Sequence, residues 1–119
     1  MCGFYAEFFK SKKFSNNINL KKKTILRHRG PDQKGLIKSD LFNLYFWRLS
    51  IVDDKLGKQP MVDEENEIIV LFNGEIYNYI DLRKQTSASH QYKTKSDTEV
   101  IIGSYKKWGD ACFNHFEGM

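Results

Sequence analysis

The sequence predicts an α+β fold in which strands and helices are intermixed around a layered core. Short apolar runs rich in aromatic residues are separated by turn signals, and one later stretch has the apolar period of a helix. The 119 residues suffice for one domain and are too few for two of ordinary size. Aromatic residues make up 14% of the chain, which supplies bulk for a core and argues against disorder.

The first half of the chain predicts three strands and one helix. Residues 3–9 form an apolar run typical of a buried strand, and residues 18–27 place apolar side chains on one side of a short helix. The helix should end before Pro31, because a proline disfavours helical geometry in the residue that precedes it. Two more strands are predicted at residues 35–38 and, with many aromatic side chains, at residues 42–49.

The second half begins with a loop over residues 53–66, which are rich in turn-forming and charged residues. Residues 67–72 have high β propensity and predict a strand, and the strong turn signal Asn73-Gly74 follows at once. A short helix over residues 79–85 and a strand over residues 90–94 come next.

The strongest helix signal follows Ser96. Ser96 and Glu99 have the spacing of a capping box, and Asp97 adds negative charge to the first turn. Gly109 is a suitable end for this helix. The residues expected on its apolar face are Val100, Ile101, Tyr105 and Trp108.

The net charge of +4 comes largely from lysines in residues 10–13 and 21–23. Such clusters can attract nucleic acid or acidic lipid, but a solvated face is the commoner reading, and no aromatic-studded basic strand accompanies them. No apolar window suits a signal peptide or a membrane span, and two cysteines make no disulfide framework. We therefore expect a reduced, cytoplasmic protein without nucleic-acid or membrane partners.

Cys2 is the first candidate for chemistry. Removal of Met1 would leave a thiol and a free α-amine on one residue. An α-amine titrates near about pH 8, so it can act as general base for its own side chain. The alternative is that Cys2 is a small buried apolar residue, which is the commoner role of a single cysteine.

Asn73-Gly74 is the second candidate. A glycine lets its backbone N–H approach a reacting atom closely, and the asparagine carboxamide adds a second donor for an oxyanion. The alternative is a type I′ turn that joins residues 68–72 to residues 75–79 in a hairpin.

Three charged residues could recognise a free amino acid from both ends. Arg48 ends a hydrophobic strand and can bind a carboxylate through two parallel hydrogen bonds, while Glu75 and Asp97 could receive an ammonium group. Each could equally be a surface charge or, for Asp97, a helix-start residue. The histidines and cysteines fit no zinc spacing, so no metal is expected.

Five sequence blocks in register over nearly the whole chain resemble the class II glutamine amidotransferase domain of asparagine synthetase. These blocks are Met1-Cys2-Gly3, Arg27-His28-Arg29-Gly30-Pro31-Asp32, Arg48-Leu49-Ser50-Ile51-Val52-Asp53, Phe72-Asn73-Gly74-Glu75-Ile76-Tyr77-Asn78 and Ser96-Asp97-Thr98-Glu99-Val100. Trp47 departs from the resemblance, because many relatives carry a polar residue there, and different surroundings of the site are expected accordingly.

The resemblance implies an N-terminal-nucleophile hydrolase fold with four αββα layers, and hydrolysis of glutamine to glutamate and ammonia. It implies that Cys2 is the nucleophile, that Asn73 and Gly74 form the oxyanion hole, and that Arg48 binds the α-carboxylate. The remaining implied roles are substrate contacts for Glu75, Asp97 and the main chain of Ile51 and Val52, and ordering of the cysteine by Arg29.

The resemblance also implies that residues 1–119 are a C-terminally truncated, partial amidotransferase domain that needs no cofactor. ATP and Mg are expected only in a synthetase domain, which would stand in cis in the full-length protein and use the ammonia to make asparagine from aspartate. Two alternatives stay open. One is a different ammonia acceptor, as in related enzymes that aminate other molecules, and the other is an inactive fragment that retains the site residues.

Overall fold

The structure, a computed structural model, describes residues 2–10, 25–49, 57–63, 65 and 67–119. Within these residues strands and helices are intermixed, which confirms the predicted α+β class. The strands are β1 (Gly3–Phe8), β2 (Gln33–Lys38), β3 (Phe42–Arg48), β4 (Met61–Val62) and β5 (Ile69–Val70). The α-helices are α1 (Tyr79–Thr86) and α2 (Thr98–Trp108), and short 3₁₀ helices cover Arg27–Arg29 and Gly109–His115.

Strand β3 lies between β1 and β2 in an antiparallel sheet, which confirms the three strands predicted for the first half of the chain. Every residue of β3 from Asn43 onward is buried, as its aromatic content predicts. Because β1 and β3 run in opposite directions, the start of β1 meets the end of β3, with Gly3 opposite Trp47. Cys2 therefore lies beside the residue that follows β3.

Strands β4 and β5 form a second, two-stranded ladder in which Met61 pairs with Val70 and Val62 with Ile69. The predicted strand over residues 67–72 is thus reduced to two residues, and the predicted loop over residues 53–66 contains the partner strand. This strand is short because only two residues of β4 pair with it.

Helix α2 supplies a buried side chain to each of two apolar clusters. Ile102 packs with Met61 and Val70, and Val100 packs with Ile76 and Leu82. The predicted face of this helix is only partly right, because Ile102 is buried while Tyr105 is 42% exposed. Because α2 packs against apolar clusters on two sides, its apolar face is wider than the single stripe that the sequence predicted.

Glu99 shows why the predicted strand over residues 90–94 is wrong. Its carboxylate accepts hydrogen bonds from the N–H groups of Lys93 at 2.9 Å and Thr94 at 2.8 Å, and it lies 3.1 Å from His90 Nε2. These N–H groups therefore have a side-chain partner instead of a neighbouring strand. The predicted capping box is wrong for the same reason, because Glu99 turns away from Ser96, whose hydroxyl accepts from the N–H of Thr98.

The hydrogen bonds also set the ionisation of this buried carboxyl. Burial on its own would raise the pKa of Glu99, but hydrogen bonds from the backbone of Lys93 and from Thr94 outweigh it. They hold the pKa of Glu99 below its usual value. Glu99 is therefore a charged anchor for the loop that leads into α2.

Parts of two predictions lie outside the described residues. Of the predicted helix over residues 18–27, only the last three residues are described, and they form a turn and the start of a 3₁₀ helix. Most of the two lysine clusters is likewise outside. Among the residues that the structure describes, no helix is long and apolar enough to cross a membrane.

Candidate active site

A pocket of about 210 Å³ lies between the end of the three-stranded sheet and the start of α2. One side, which we call the sheet wall, consists of Cys2, Arg48 and Leu49. The other side, the loop wall, consists of residues 72–75 and residues 96–98. Gln59 and Met119 complete the lining.

Cys2 is held at the pocket by three neighbours. The Gly3–Trp47 pair fixes its position at the start of β1. The backbone N–H of Leu49 donates to the Cys2 sulfur at 3.3 Å, and Arg29 Nε donates to the Cys2 carbonyl oxygen at 3.0 Å. Cys2 thus lines the pocket while Arg29, which lies outside the lining, holds its backbone.

Arg48 brings a buried positive charge to the same wall. The residue is 4% exposed, and Nη1 donates to Gln33 Oε1 at 3.0 Å across the β2–β3 pair. Successive side chains of a strand point to opposite faces, so Trp47 projects away from Arg48. Trp47 stacks on Tyr45 with ring centroids 6.1 Å apart, and it is not among the pocket-lining residues of the described chain. Trp47 therefore contributes no side chain to the lining of this pocket.

The Asn73-Gly74 pair does not turn a hairpin, so that structural alternative is wrong. Strand β5 pairs with β4, whereas Glu75 exchanges two backbone hydrogen bonds of 3.0 Å with Met119. The segment before Asn73-Gly74 therefore pairs with β4, and the segment after it pairs with Met119. Asn73-Gly74 connects these two segments beside the pocket. A Cβ at Gly74 would lie 2.2 Å from the Met119 carbonyl oxygen, so this close approach requires glycine.

Asp97 joins the two segments of the loop wall. The residue is 9% exposed, and Oδ2 accepts a hydrogen bond of 3.0 Å from the N–H of Ile76. This bond ties the start of α2 to the segment that carries Gly74. Glu75 lies half-buried on the same wall, so two residues with carboxylate side chains line the same pocket as Arg48.

The structure brings together most of the residues that the sequence singled out. Those that line the pocket are Cys2, Arg48, Asn73, Gly74, Glu75 and Asp97. Arg29 contacts the backbone of Cys2 from outside the pocket, and Ile51 and Val52 lie outside the described residues. No group of three or more His, Cys, Asp or Glu side chains that could hold a metal ion occurs in the described part of the chain.

Sequence reasoning assigned no role in the site to six other pocket residues: Leu49, Gln59, Phe72, Ser96, Thr98 and Met119. Ser96 belongs to a helix-start pattern, which drew attention to capping and not to the pocket. Gln59 lies in the predicted loop, where no local signal distinguishes it. Its partners are far along the chain, so only the folded structure reveals its position.

A thiol, a buried guanidinium and two carboxylates around one small pocket define a site suited to a small molecule that carries both charges. Comparison with known proteins identifies the class. The whole chain, residues 1–119, matches the glutamine amidotransferase domain, and the chain belongs to this family.

Three proteins similar to the chain are glutamine-hydrolyzing asparagine synthetases, one of them a probable one. The chain is 39% identical to a probable glutamine-hydrolyzing asparagine synthetase of Schizosaccharomyces pombe, over 100% of this chain and 22% of that protein. It is 36% identical to the glutamine-hydrolyzing asparagine synthetase B of Escherichia coli, again over 100% of this chain and 22% of that protein. For asparagine synthetase 1 of Bacillus subtilis the identity is 36%, over 100% and 20%. The chain thus spans about a fifth of the length of these relatives.

Proposed function

We propose that this domain hydrolyses glutamine to glutamate and ammonia, with Cys2 as the nucleophile. The observation that carries the proposal is the convergence of Cys2 with Arg48, Asn73, Gly74, Glu75 and Asp97 on one pocket. Family membership supports glutamine as the substrate.

The charges around the pocket suit a free amino acid. The buried guanidinium of Arg48 binds the α-carboxylate, and Glu75 and Asp97 receive the α-ammonium group. Asp97 is already fixed by the N–H of Ile76, so little ordering is needed when the substrate binds. The side-chain amide of glutamine then points toward Cys2. The main chain of Ile51 and Val52 is proposed to complete this part of the site.

The chemistry proceeds through a covalent intermediate. The α-amine of a mature Cys2 takes the thiol proton, and the sulfur attacks the amide carbon to form a tetrahedral oxyanion. Asn73 and the N–H of Gly74 stabilise that oxyanion. Ammonia leaves with a proton returned from the amine, and water hydrolyses the resulting thioester to free glutamate. Arg29 keeps the Cys2 backbone in place throughout.

The wider protein enters the proposal through its relatives. We propose that residues 1–119 belong to a four-layer αββα domain, and that a synthetase domain in cis uses the ammonia to make asparagine. That second domain would bind ATP and Mg, whereas the glutamine site needs neither. A cytoplasmic location suits such an enzyme.

The mechanism requires a free amine on Cys2. We expect the mature protein to begin at Cys2, because Met1 would block the proposed base. Intact-mass measurement of protein made in cells checks this directly. A dominant species that retains Met1 would contradict the mechanism.

The direct test of function compares the two cysteines. Cys2→Ala should reduce ammonia release from glutamine to background, while glutamine still binds, because the charged groups of the pocket grip the α-substituents and not the amide. Cys112 is the matched control, since it is fully buried and is not among the residues that line the pocket. Cys112→Ala should retain turnover. A Cys2→Ala protein with the parent rate would be incompatible with the proposal.

A further inference from the structure

Gln59 makes three hydrogen bonds that join the parts of the pocket. The residue is 8% exposed. Oε1 accepts from the N–H of Phe72 at 2.7 Å, and Nε2 donates to the carbonyl oxygen of the same residue at 3.2 Å. Nε2 also donates to Thr98 Oγ1 at 3.3 Å. The side chain therefore holds both segments of the loop wall.

These bonds leave the carboxamide no freedom to turn over. Phe72 presents both a donor and an acceptor, so only one orientation of the Gln59 amide satisfies both. Both N–H donors of Nε2 are then engaged within the protein. Gln59 thus lines the pocket without a free donor for a substrate, and its influence must pass through its partners.

The backbone of Gln59 packs directly against the sheet that bears the sheet wall. A Cβ at Gly35 in β2 would lie 1.8 Å from the Gln59 carbonyl oxygen, so a glycine is required for this close approach. Strand β2 pairs with β3, whose end carries Arg48. One residue therefore connects the sheet to the segment before Asn73 and to the start of α2.

We propose that Gln59 is a positioning residue that sets the distance between the Cys2 thiol and the oxyanion donors at Asn73 and Gly74. This inference rests on the proposed glutamine hydrolysis. Phe72 immediately precedes Asn73, so a shift of Phe72 moves both donors relative to the sheet wall. A displacement of about 1 Å in a reacting geometry can reduce the rate on the order of a hundredfold.

The effect should fall on turnover more than on binding. Arg48 belongs to the sheet wall, and the bond from Ile76 to Asp97 remains when Gln59 is changed. Asp97 thus keeps its own hydrogen bond from Ile76 and loses only the bond of its neighbour Thr98, whereas Phe72, directly before the proposed oxyanion donors, loses both of its bonds to Gln59. An interaction that acts only in the transition state lowers kcat when it is removed.

The test uses Gln59→Met, which keeps the volume and removes all three hydrogen bonds, in the protein encoded by its complete gene. Ammonia release from glutamine gives kcat and KM for the parent and the variant. We expect kcat to fall about tenfold to a hundredfold while KM changes less than about threefold. The matched control is Thr86→Val outside the pocket, which removes the two hydrogen bonds of the buried Thr86 hydroxyl, one to the carbonyl oxygen of Leu82 at 2.7 Å and one with the Tyr92 hydroxyl. That variant should lose stability and keep kcat.

The outcomes separate this inference from the function on which it rests. A folded Gln59→Met protein with the parent kcat overturns the positioning role alone. So does an equal loss of kcat in Thr86→Val, because the loss would then follow general destabilisation. A parent that releases no ammonia overturns the proposed function and this inference together.

Gln59→Glu gives an answer even if the methionine variant fails to fold. A protonated carboxyl group at position 59 would keep one donor and one acceptor for Phe72, whereas an ionised carboxylate there would oppose the Phe72 carbonyl. Relative to the parent, kcat of Gln59→Glu should therefore rise as the pH falls from about 8 to about 6, the range into which burial can move a glutamate pKa. A folded Gln59→Glu protein that keeps the parent kcat at every pH in this range overturns the positioning role.

Discussion

The two walls of the pocket are held in different ways. The sheet wall is fixed by the backbone ladder between β1 and β3, in which six residue pairs run from Gly3–Trp47 to Phe8–Phe42. The loop wall contains no strand of comparable length within the described residues. It depends on buried side chains that bind backbone groups, namely Gln59, Asp97 and Glu99.

The difference teaches where single substitutions should matter. A ladder uses N–H and C=O groups that almost every residue carries, so most side-chain changes leave it in place. A side chain that satisfies two or three backbone groups has no such redundancy. Its loss leaves those groups buried without partners, which costs about 1–3 kcal/mol for each.

The largest effect on stability should come from Glu99→Leu in the support of the loop wall. Glu99 is 4% exposed, and the loss of its carboxylate would leave the N–H groups of Lys93 and Thr94 without this partner. We expect the free energy of unfolding to fall by about 3–5 kcal/mol. Urea unfolding of parent and variant measures it.

Glu7→Leu is the matched change on the sheet side. Glu7 lies in β1, where Tyr5 donates to Oε1 at 2.6 Å, and its buried Oε2 has no hydrogen-bond partner within the described residues. The ladder stays intact, so stability should change by no more than about 1 kcal/mol. Equal losses in the two variants would erase the distinction between the walls.

Arg48→Ala tests what the sheet wall contributes beyond its backbone. Removal of one charge-assisted partner should weaken glutamine binding by on the order of 2–5 kcal/mol, seen as a raised KM. Arg48→Lys keeps the charge but not the planar fork, so it should recover only part of the affinity. Unchanged affinity in Arg48→Ala would remove this residue from the proposed site.

The two sides of the pocket also differ in the space available for a Cβ added at a glycine. An added Cβ at Gly74 would meet the Met119 backbone oxygen at 2.2 Å, whereas at Gly3 it would meet the Leu26 side chain at 3.1 Å. The overlap at Gly74 forces a backbone to move, whereas the contact at Gly3 needs a shift of only a few tenths of an ångström, so Gly74→Ala should displace the proposed oxyanion donors. We expect turnover to fall on the order of a hundredfold for Gly74→Ala and much less for Gly3→Ala. Steady-state kinetics of both proteins decides whether the loop wall is the more constrained.

The smallest expected effect is a pH dependence of stability. The pKa of Glu99 is lowered in the folded protein by hydrogen bonds that outweigh its burial. Its contribution is therefore fully present above the unfolded value of about 4.3 and is lost as the pH falls through the lower folded value. The stability difference between the parent and Glu99→Gln should shrink as the pH drops below about 4. A difference that is constant down to acid unfolding would show that another group carries the effect.

The sequence alone determined the α+β class and the positions of β1, β3, α1 and α2, because apolar content and period are local properties. The resemblance of five blocks also selected most of the charged and reactive residues that line the pocket. The sequence could not show that Asn73-Gly74 connects two segments with different pairing partners, because Asn-Gly gives the same turn signal in a hairpin.

The tertiary structure decided which side chains hold the pocket together. The bonds from Leu49 to Cys2, from Ile76 to Asp97 and from Phe72 to Gln59 span 47, 21 and 13 residues of sequence. The local sequence around Gln59 or Glu99 does not reveal whether the side chain faces water or binds a distant backbone group. Only the folded chain brings such partners within hydrogen-bond distance, and burial then makes each of these bonds costly to lose.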